Sequence, residues 1–270
     1  MTLERGSPAW RYFGDFRTGL LAAQVLTLQV AHPVVAAGVR DHSDYVANPW
    51  TRLMRTGASL SIYVYGGAEG AAYEAGRLRA LHREFTGVRD DGRRYSGLDP
   101  HAYAWVHATL VRLAVDAQEF FGRPIPAAEL EEYYAQMTEV GRLLGIGDRY
   151  LPGSWGEFCR YYDEMVASFG PNGTIDELVE TIGTVRPPFP VPFWSSLRGL
   201  QLFLLSATLP PAFRDRLGLQ WTDAQQRRFD RLRTVVRTLA APVPASLRNA
   251  HFRFLAWLNI WYRARHAPAD

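Results

Sequence analysis

One uncharged segment near the N-terminus constrains the fold more than any other feature of the sequence. Residues 18–39 contain no Asp, Glu, Lys or Arg, and a run of this length could cross a bilayer. The segment also contains Gln24, Gln29, His32 and Pro33, which are costly in lipid but acceptable inside a helical protein. We therefore predict a buried core helix and no membrane span, with Pro33 starting or kinking the next helix.

The remainder of the chain shows the periodicity of amphipathic helices and no clean strand alternation. Turn and capping residues place further helices at about residues 48–65, 69–85, 100–121, 126–144, 155–169, 175–182, 193–209, 223–239 and 246–266, with a polar turn at 89–92. A stiff proline-rich connector follows at 187–192. With 270 residues, 47% of them hydrophobic, one core is feasible. We predict an all-α fold, as a single multi-helix domain over residues 1–270, with a possible boundary of a C-terminal helical layer near 186–192.

Charge and cysteine content exclude several classes of function. The net charge is +3, from 30 basic and 27 acidic residues spread along the chain, which argues against a nucleic-acid partner. Every basic residue is Arg, so no Lys is available to form a Schiff base. The single cysteine, Cys159, excludes an internal disulfide and a cysteine-rich zinc site. Residues 1–10 lack the apolar run of a signal peptide, and we predict a cytoplasmic protein of unknown oligomeric state.

His82 is the first candidate ligand. On a helix it borders an apolar face formed by Leu78, Leu81 and Phe85, and Arg79 lies one turn earlier on the same side. A haem requires an apolar slot, a neutral imidazole for its iron and cations for its propionates, and this helix could supply the last two. The alternative is a half-buried histidine among charged neighbours.

Arg52, Arg55 and Thr56 form the second candidate group. Their spacing of three and four residues places all three on one helical face. Two guanidinium groups that face the interior are costly unless they meet an anion, such as haem propionates, a substrate carboxylate or internal acids. The alternative is a solvated basic face.

Other histidines and aromatic residues allow two interpretations. His32 precedes Pro33, which favours a cap or a pocket residue, and His107 is either a core histidine or a residue of a distal pocket. Two aromatic groups are expected in the core: Phe193, Trp194 and Phe203, and Trp257, Trp261 and Tyr262.

Five short motifs together resemble the catalytic domain of the MpaB and rubber oxygenase (latex clearing protein) family. The matching pieces, in the family's order, are Gln29-Val30-Ala31-His32-Pro33, Asp41-His42-Ser43-Asp44, Arg52-x-x-Arg55-Thr56, Arg79-x-x-His82 and Trp105-Val106-His107-Ala108-Thr109-Leu110. The resemblance covers about residues 16–147 well and the C-terminal third only as generic helices. It implies an all-helical fold with a globin-like core around haem b.

The resemblance also implies residue roles. His82 would be the proximal iron ligand, which makes it the expected metal-binding residue. Arg79, Arg52 and His107 would complete the haem-binding set, and Arg55, Thr56 and His32 would be catalytic. Arg55 stands where rubber oxygenases have a lysine that caps the iron, and arginine is a poor iron ligand.

A second departure concerns the catalytic base. Residues 33–38 offer no carboxylate where rubber-cleaving members have a glutamate, which speaks against polyisoprene cleavage by that mechanism. Asp41, Asp44 and His32 remain open as substitutes.

The sequence therefore predicts a haem b-dependent oxygenase or related oxidoreductase that acts with dioxygen on a hydrophobic small molecule, by cleavage, hydroxylation or dehydrogenation. Three alternatives remain open. They are a haem-binding or gas-sensing protein without turnover, a helical binder of apolar ligands without haem, and a metal enzyme that uses His32, His42 and Asp41 or Asp44.

Overall fold

Helices make up almost all of the regular structure, which confirms the predicted all-α fold. The structure is a computed structural model that describes residues 3–187 and 190–266, so Pro188 and Phe189 of the predicted boundary lie outside the described residues. The helices are α1 (Pro8–Tyr12), α2 (Ala22–Ala31), α3 (Pro33–His42), α4 (Pro49–Tyr65), α5 (Gly67–Arg83), α6 (Pro100–Phe121), α7 (Ala127–Leu143), α8 (Trp155–Ser168), α9 (Gly173–Thr184), α10 (Trp194–Thr208), α11 (Pro211–Arg216), α12 (Asp223–Ala240), α13 (Ala245–Arg248) and α14 (Ala250–His266).

The uncharged segment is broken at the position that Pro33 predicts. A 3-10 helix (Phe16–Leu21) leads into α2, and α3 follows after a bend of 105°. Pro33 occupies the first turn of α3, and the backbone N–H of Val34 donates to Nδ1 of His32, which therefore caps the helix. In the described residues no single helix is long and apolar enough to cross a membrane, and this bent pair alone meets that test by length and composition.

The core is built around α6. Trp105 on this helix is completely buried, and its Nε1 donates to the carbonyl of Leu28 in α2 over 2.7 Å. The Trp105 ring lies 5.3 Å from that of Tyr162 in α8 and 5.0 Å from that of Phe169. These contacts tie the uncharged segment and the middle of the chain to one helix, so α6 is the scaffold on which the other elements are placed.

A buried ion pair near the N-terminus joins distant parts of the chain. Asp15 is fully buried and accepts from Nε and Nη2 of Arg17 over 2.8 and 2.5 Å. Arg17 also donates to Gln118 Oε1 and to the carbonyl of Phe121 at the end of α6. Arg248 lies 3.3 Å from the same carboxylate. Because Asp15 and Arg17 are paired and hydrogen-bonded, this ion pair can be tolerated without contact with water. Nε of Arg248 adds a nearby positive charge without a hydrogen bond.

A short hairpin was not among the predicted elements. Strands β1 (Thr86–Val88) and β2 (Arg94–Ser96) are antiparallel, and the predicted polar turn at 89–92 joins them. The hydroxyl of Tyr95 donates to Asp41 at the end of α3 over 2.8 Å, which fixes the hairpin on that helix. Three-residue strands are too short to show alternation, so periodicity could not reveal them.

The prediction that the C-terminal aromatic residues lie in the core is wrong for α14. Trp257, Trp261 and Tyr262 are 56%, 38% and 57% exposed, and Phe193 before α10 is 83% exposed. Apolar residues occur around the whole circumference of α14, with Arg253, Asn259, Arg263 and Arg265 among them, and one face packs against α4. Since the apolar residues do not form a single stripe, the sequence cannot show which face is covered.

Candidate functional site

The two arginine motifs meet because α4 and α5 form an antiparallel helical hairpin. Gly66 ends α4, and Gly67, at φ +70°, turns the chain into α5. Arg52 and His82 lie at similar numbers of residues from this turn, one on each helix. Since each residue of an α-helix rises 1.5 Å, equal spacing brings the start of α4 beside the end of α5.

His82 has the properties of a neutral ligand. Its side chain is half-buried at the end of α5, and Nδ1 lies 2.5 Å from the hydroxyl of Tyr103 on α6. Burial, aided by the cations Arg52 and Arg77, lowers the pKa of His82 to about 4. Within the described residues Nε2 has no hydrogen-bond partner. The imidazole is therefore uncharged at neutral pH, with one nitrogen held and the other available.

Arg52 links α4 to the segment that precedes it. Its Nη1 donates to Thr56 Oγ1 over 2.9 Å, and its Nε donates to Ser43 Oγ over 3.2 Å. Desolvation lowers the pKa of Arg52, and Arg55 adds to this effect while Asp44 opposes it. The side chain of Arg52 is nonetheless exposed.

Arg55 and Arg79 add positive charge to this region. Arg55 is exposed and makes no ion pair within the described part of the chain. Arg79 packs its guanidinium on Gly145, which has φ +88° after the end of α7, about 3.1 Å from where a Cβ would lie. Burial raises the pKa of Tyr103, and the positive charge of Arg79 opposes this shift. The charges around His82 are therefore suited to an anionic ligand.

About two turns before His82 on α5, a buried carboxylate holds three helices together. Glu74 on α5 is 1% exposed and accepts from Ser59 of α4, from Arg77 and from Arg263 of α14. Burial alone would raise the pKa of Glu74, but these hydrogen bonds lower that pKa to about 2. Tyr63, in the same layer, is 6% exposed, and its hydroxyl has no hydrogen-bond partner in the described structure.

His107 and His32 lie apart from this arrangement. Nε2 of His107 is 3.0 Å from the position that a Cβ on Gly141 would take, in the α6–α7 interface. Nδ1 of His32 caps α3, and its ring contacts Phe169 at 5.9 Å. Neither histidine contributes to the pKa shift of His82. The described contacts of both are those of structural residues, and their roles in a pocket stay predictions.

The residues of the alternative metal site have other partners. Asp41 binds Arg40 and Tyr95, and the ring of His42 stacks on Phe85 at 4.6 Å. In the ranges that the structure describes, no group of three or more His, Cys, Asp or Glu side chains could hold a metal ion.

Sequence reasoning found one neighbour of His82 and missed another. Phe85, predicted on the same helical face from its spacing of three residues, has its ring 5.3 Å from the imidazole. Tyr103, on α6, holds Nδ1 and was missed, because its contact depends on how α6 is rotated against α5.

Buried neutral histidines predict a loss of stability in acid. The pKa of His107 falls from 6.5 to about 4 because of burial. Below about pH 6.5 the unfolded chain takes up a proton at this residue that the folded chain refuses until about pH 4. Full stability is therefore present above about pH 6.5 and declines as the pH falls to about 4, by about 3 kcal/mol for such a group.

This decline can be assigned with one variant. We expect the His107→Gln protein to lose less unfolding free energy than the wild type between about pH 7 and about pH 4.5, in urea titrations. His101→Gln, at an exposed position on the same helix, is the control and should match the wild type. Equal losses for His107→Gln and the wild type would exclude His107 as the titrating group.

Comparison with known proteins gives a family and two relatives. The model of the family described as "ER-bound oxygenase mpaB/B'/Rubber oxygenase, catalytic domain" matches residues 10–238. Two relatives are each 27% identical over 254 residues, which cover 92% of this chain and 98% of theirs. They are "Uncharacterized protein Mb2261" of Mycobacterium bovis and "Uncharacterized protein Rv2237" of Mycobacterium tuberculosis. No solved structure matches the chain significantly. The matched range includes the whole α4–α5 hairpin and α6.

Proposed function

Because the chain belongs to the family of the mpaB/B' and rubber oxygenase catalytic domains, we propose that it is a haem b-dependent oxygenase that uses dioxygen on a hydrophobic small molecule. Membership of this family makes the chain an oxygenase-like catalytic domain. The haem, the type of reaction and the class of substrate are what we propose. The observation that carries the proposal is the state of His82. Its imidazole is neutral and accessible, its Nδ1 is held by Tyr103, and its Nε2 has no partner within the described residues.

The residues present fit a haem. An iron ligand must be a neutral imidazole, and such a ligand usually has its second ring nitrogen held by a hydrogen bond. His82 and Tyr103 meet both conditions. Haem propionates require cations; Arg52 is close enough to lower the pKa of His82, and Arg79 lies one turn before His82 on α5. We infer that His82 would hold the iron and that these arginines would bind the propionates.

The chain's own residues would supply binding and orientation. Haem b, when bound, supplies the redox chemistry that activates dioxygen. Arg55 is a permanent cation that can orient a polar group of the substrate but cannot act as a base. Leu53 and Met54, between the two arginines of α4, are 44% and 54% exposed and offer an apolar contact. Thr56 Oγ1 donates to the carbonyl of Arg52 and accepts from its Nη1, which holds that guanidinium in place.

The proposal is tested by adding haem to the purified protein and then measuring oxygen consumption. We expect a Soret band that saturates at one haem per chain, followed by oxygen uptake with isoprenoid or other apolar substrates. A saturating Soret band without oxygen uptake on any apolar substrate would indicate the haem-binding or gas-sensing alternative. The absence of any Soret change would exclude haem and favour the apolar-ligand binder.

Tyr103 provides a finer test of the ligand assignment. Tyr103→Phe keeps the ring beside His82 and removes the hydroxyl that holds Nδ1. Loss of such a partner typically costs about 10- to 100-fold in metal affinity, and we expect a loss of that size for haem in absorbance titrations. The control is Tyr150→Phe, whose ring contacts a different histidine, His101, at 4.9 Å. A Tyr103→Phe affinity equal to that of the control would contradict the role of Tyr103.

A further inference from the structure

A cavity lies far from His82. A cleft of about 500 Å³ opens between α2, α6, α8, α10, α11 and α12, and we call it the Arg214 cleft. It is lined on α6 by Arg112, Asp116 and Phe120, whereas His82 meets α6 at Tyr103. Tyr103 and Asp116 are 13 residues apart, which is about 20 Å along a helix. A volume of this size suits a small organic ligand.

The walls of the Arg214 cleft are largely aromatic. Phe229 of α12 lies 5.8 Å from Phe120 and 6.3 Å from Trp221, measured between ring centroids. Phe158 and Tyr162 of α8 form another part of the wall, with their rings 6.1 Å apart. Phe158, Tyr162 and Phe229 are almost fully buried, whereas Phe120 and Trp221 are half-buried. The aromatic surface open to an apolar molecule therefore lies mainly on Phe120 and Trp221.

One cation of the Arg214 cleft is poorly satisfied. Arg112 is paired with Asp116 at 2.6 Å and with Glu119 at 2.9 Å. The side chain of Arg214 is only 13% exposed, yet its nearest acid is Asp215 at 3.7 Å, a side chain that is 71% exposed. Nη1 of Arg214 donates to the carbonyl of Ser206 over 3.4 Å, and its buried Nε has no partner in the described structure. A guanidinium in this state is stabilised by an added carboxylate.

A second polar group of the wall is also incomplete. Gln24 is 4% exposed and donates from Nε2 to Asp116 over 3.0 Å. Its Oε1 is buried and has no hydrogen-bond partner among the described residues. Two polar atoms of residues that line this cleft, Nε of Arg214 and Oε1 of Gln24, therefore lack partners among the described residues, whereas buried polar atoms are usually satisfied.

We propose that the Arg214 cleft binds a small apolar molecule that carries one carboxylate. The carboxylate pairs with the guanidinium of Arg214, which Trp221 holds from its other side at 5.4 Å. The apolar body lies against the half-buried rings of Phe120 and Trp221. Among the cations that line the cleft, Arg112 is paired with Asp116 and Glu119, and Arg233 lies 3.4 Å from Asp230, so Arg214 is the one left for an added carboxylate. The site is independent of the haem proposal.

The test is calorimetric titration with octanoate, with octanol as the neutral probe of equal chain length. We expect octanoate to bind more tightly than octanol, and Arg214→Gln to weaken octanoate about 10- to 150-fold, the worth of a charged hydrogen bond. Octanol binding should be the same in both proteins. Arg214→Lys, which keeps the charge but not the paired donors, should be intermediate. Arg228→Gln, another arginine over an aromatic ring but outside the cleft, is the control and should match the wild type.

The same titration separates this proposal from that of haem binding. His82→Ala should bind octanoate as the wild type does, whatever its effect on haem. Ala207→Phe, which fills the cleft without changing its charge, should abolish octanoate binding. The proposal is overturned if octanoate does not bind, if octanol binds equally well, or if folded Arg214→Gln and Ala207→Phe proteins both bind octanoate normally.

Discussion

Replacement of His82 with alanine is expected to remove the Soret band of the haem-loaded protein, or to shift it to that of loosely bound haem. His82 is the accessible imidazole that is both neutral and fixed through Nδ1 in the described α4–α5–α6 arrangement. Without it the iron loses its protein ligand, and we expect haem affinity to fall by more than about 100-fold, beyond the loss for a residue that only orients the ligand. Absorbance spectra during haem titration measure this loss.

The control for His82→Ala is His101→Ala. His101 is exposed at the start of α6, and its ring contacts Tyr150. Its loss should leave the Soret band and the haem affinity unchanged. If the His82→Ala protein folds and its Soret band is unchanged, His82 is excluded as the iron ligand. The other histidines would then have to be tested as ligands.

Replacement of Arg17 with methionine is expected to cause the largest loss of stability. The change removes one member of a fully buried ion pair and leaves the Asp15 carboxylate with Gln118, Arg248 and the backbone N–H of residue 17. Breaking a buried pair by removal of one partner typically costs about 3–5 kcal/mol, since the remaining charge stays buried. In a protein of this size that cost lowers the melting temperature by about 6–20 °C. Urea and thermal unfolding measure both quantities.

The matched control for Arg17→Met is Arg5→Met. Arg5 is exposed and has no hydrogen bond or ion pair to a described residue, so its replacement should change the free energy of unfolding by no more than about 0.5 kcal/mol. If Arg17→Met cost less than about 1 kcal/mol, the Asp15 carboxylate would have to be satisfied without Arg17, for example by water.

Helix positions were predictable where local chemistry decides them. Asp99 and Pro100 begin α6, and the side chain of Asp99 accepts from the backbone N–H of Ala102 as an N-cap should. Gly122 follows the last residue of that helix, as the sequence predicts. By contrast, nothing local distinguishes the covered face of α14 from its exposed face, because that depends on which helix packs beside it.

In the candidate site, too, local sequence determines some contacts and tertiary packing determines others. Arg52 and His82 come close together because the chain turns back at Gly66 and the two residues lie at similar numbers of residues from that turn. The partner of the imidazole, Tyr103, depends on the rotation of α6, which is set by the packing of Trp105 against Leu28 and Tyr162. Tertiary packing, which periodicity does not encode, therefore determines which tautomer of His82 is favoured.

The ion pair between Glu74 and Arg263 also affects the local unfolding of α14. Release of α14 would leave the buried Glu74 carboxylate with one cation fewer, so fraying of this helix carries an electrostatic cost that an ordinary terminal helix lacks. Amide protons in the middle of α14 should therefore exchange with solvent through the same openings as those around Ser59 on α4. In its cooperativity, α14 therefore belongs with the α4–α5 hairpin.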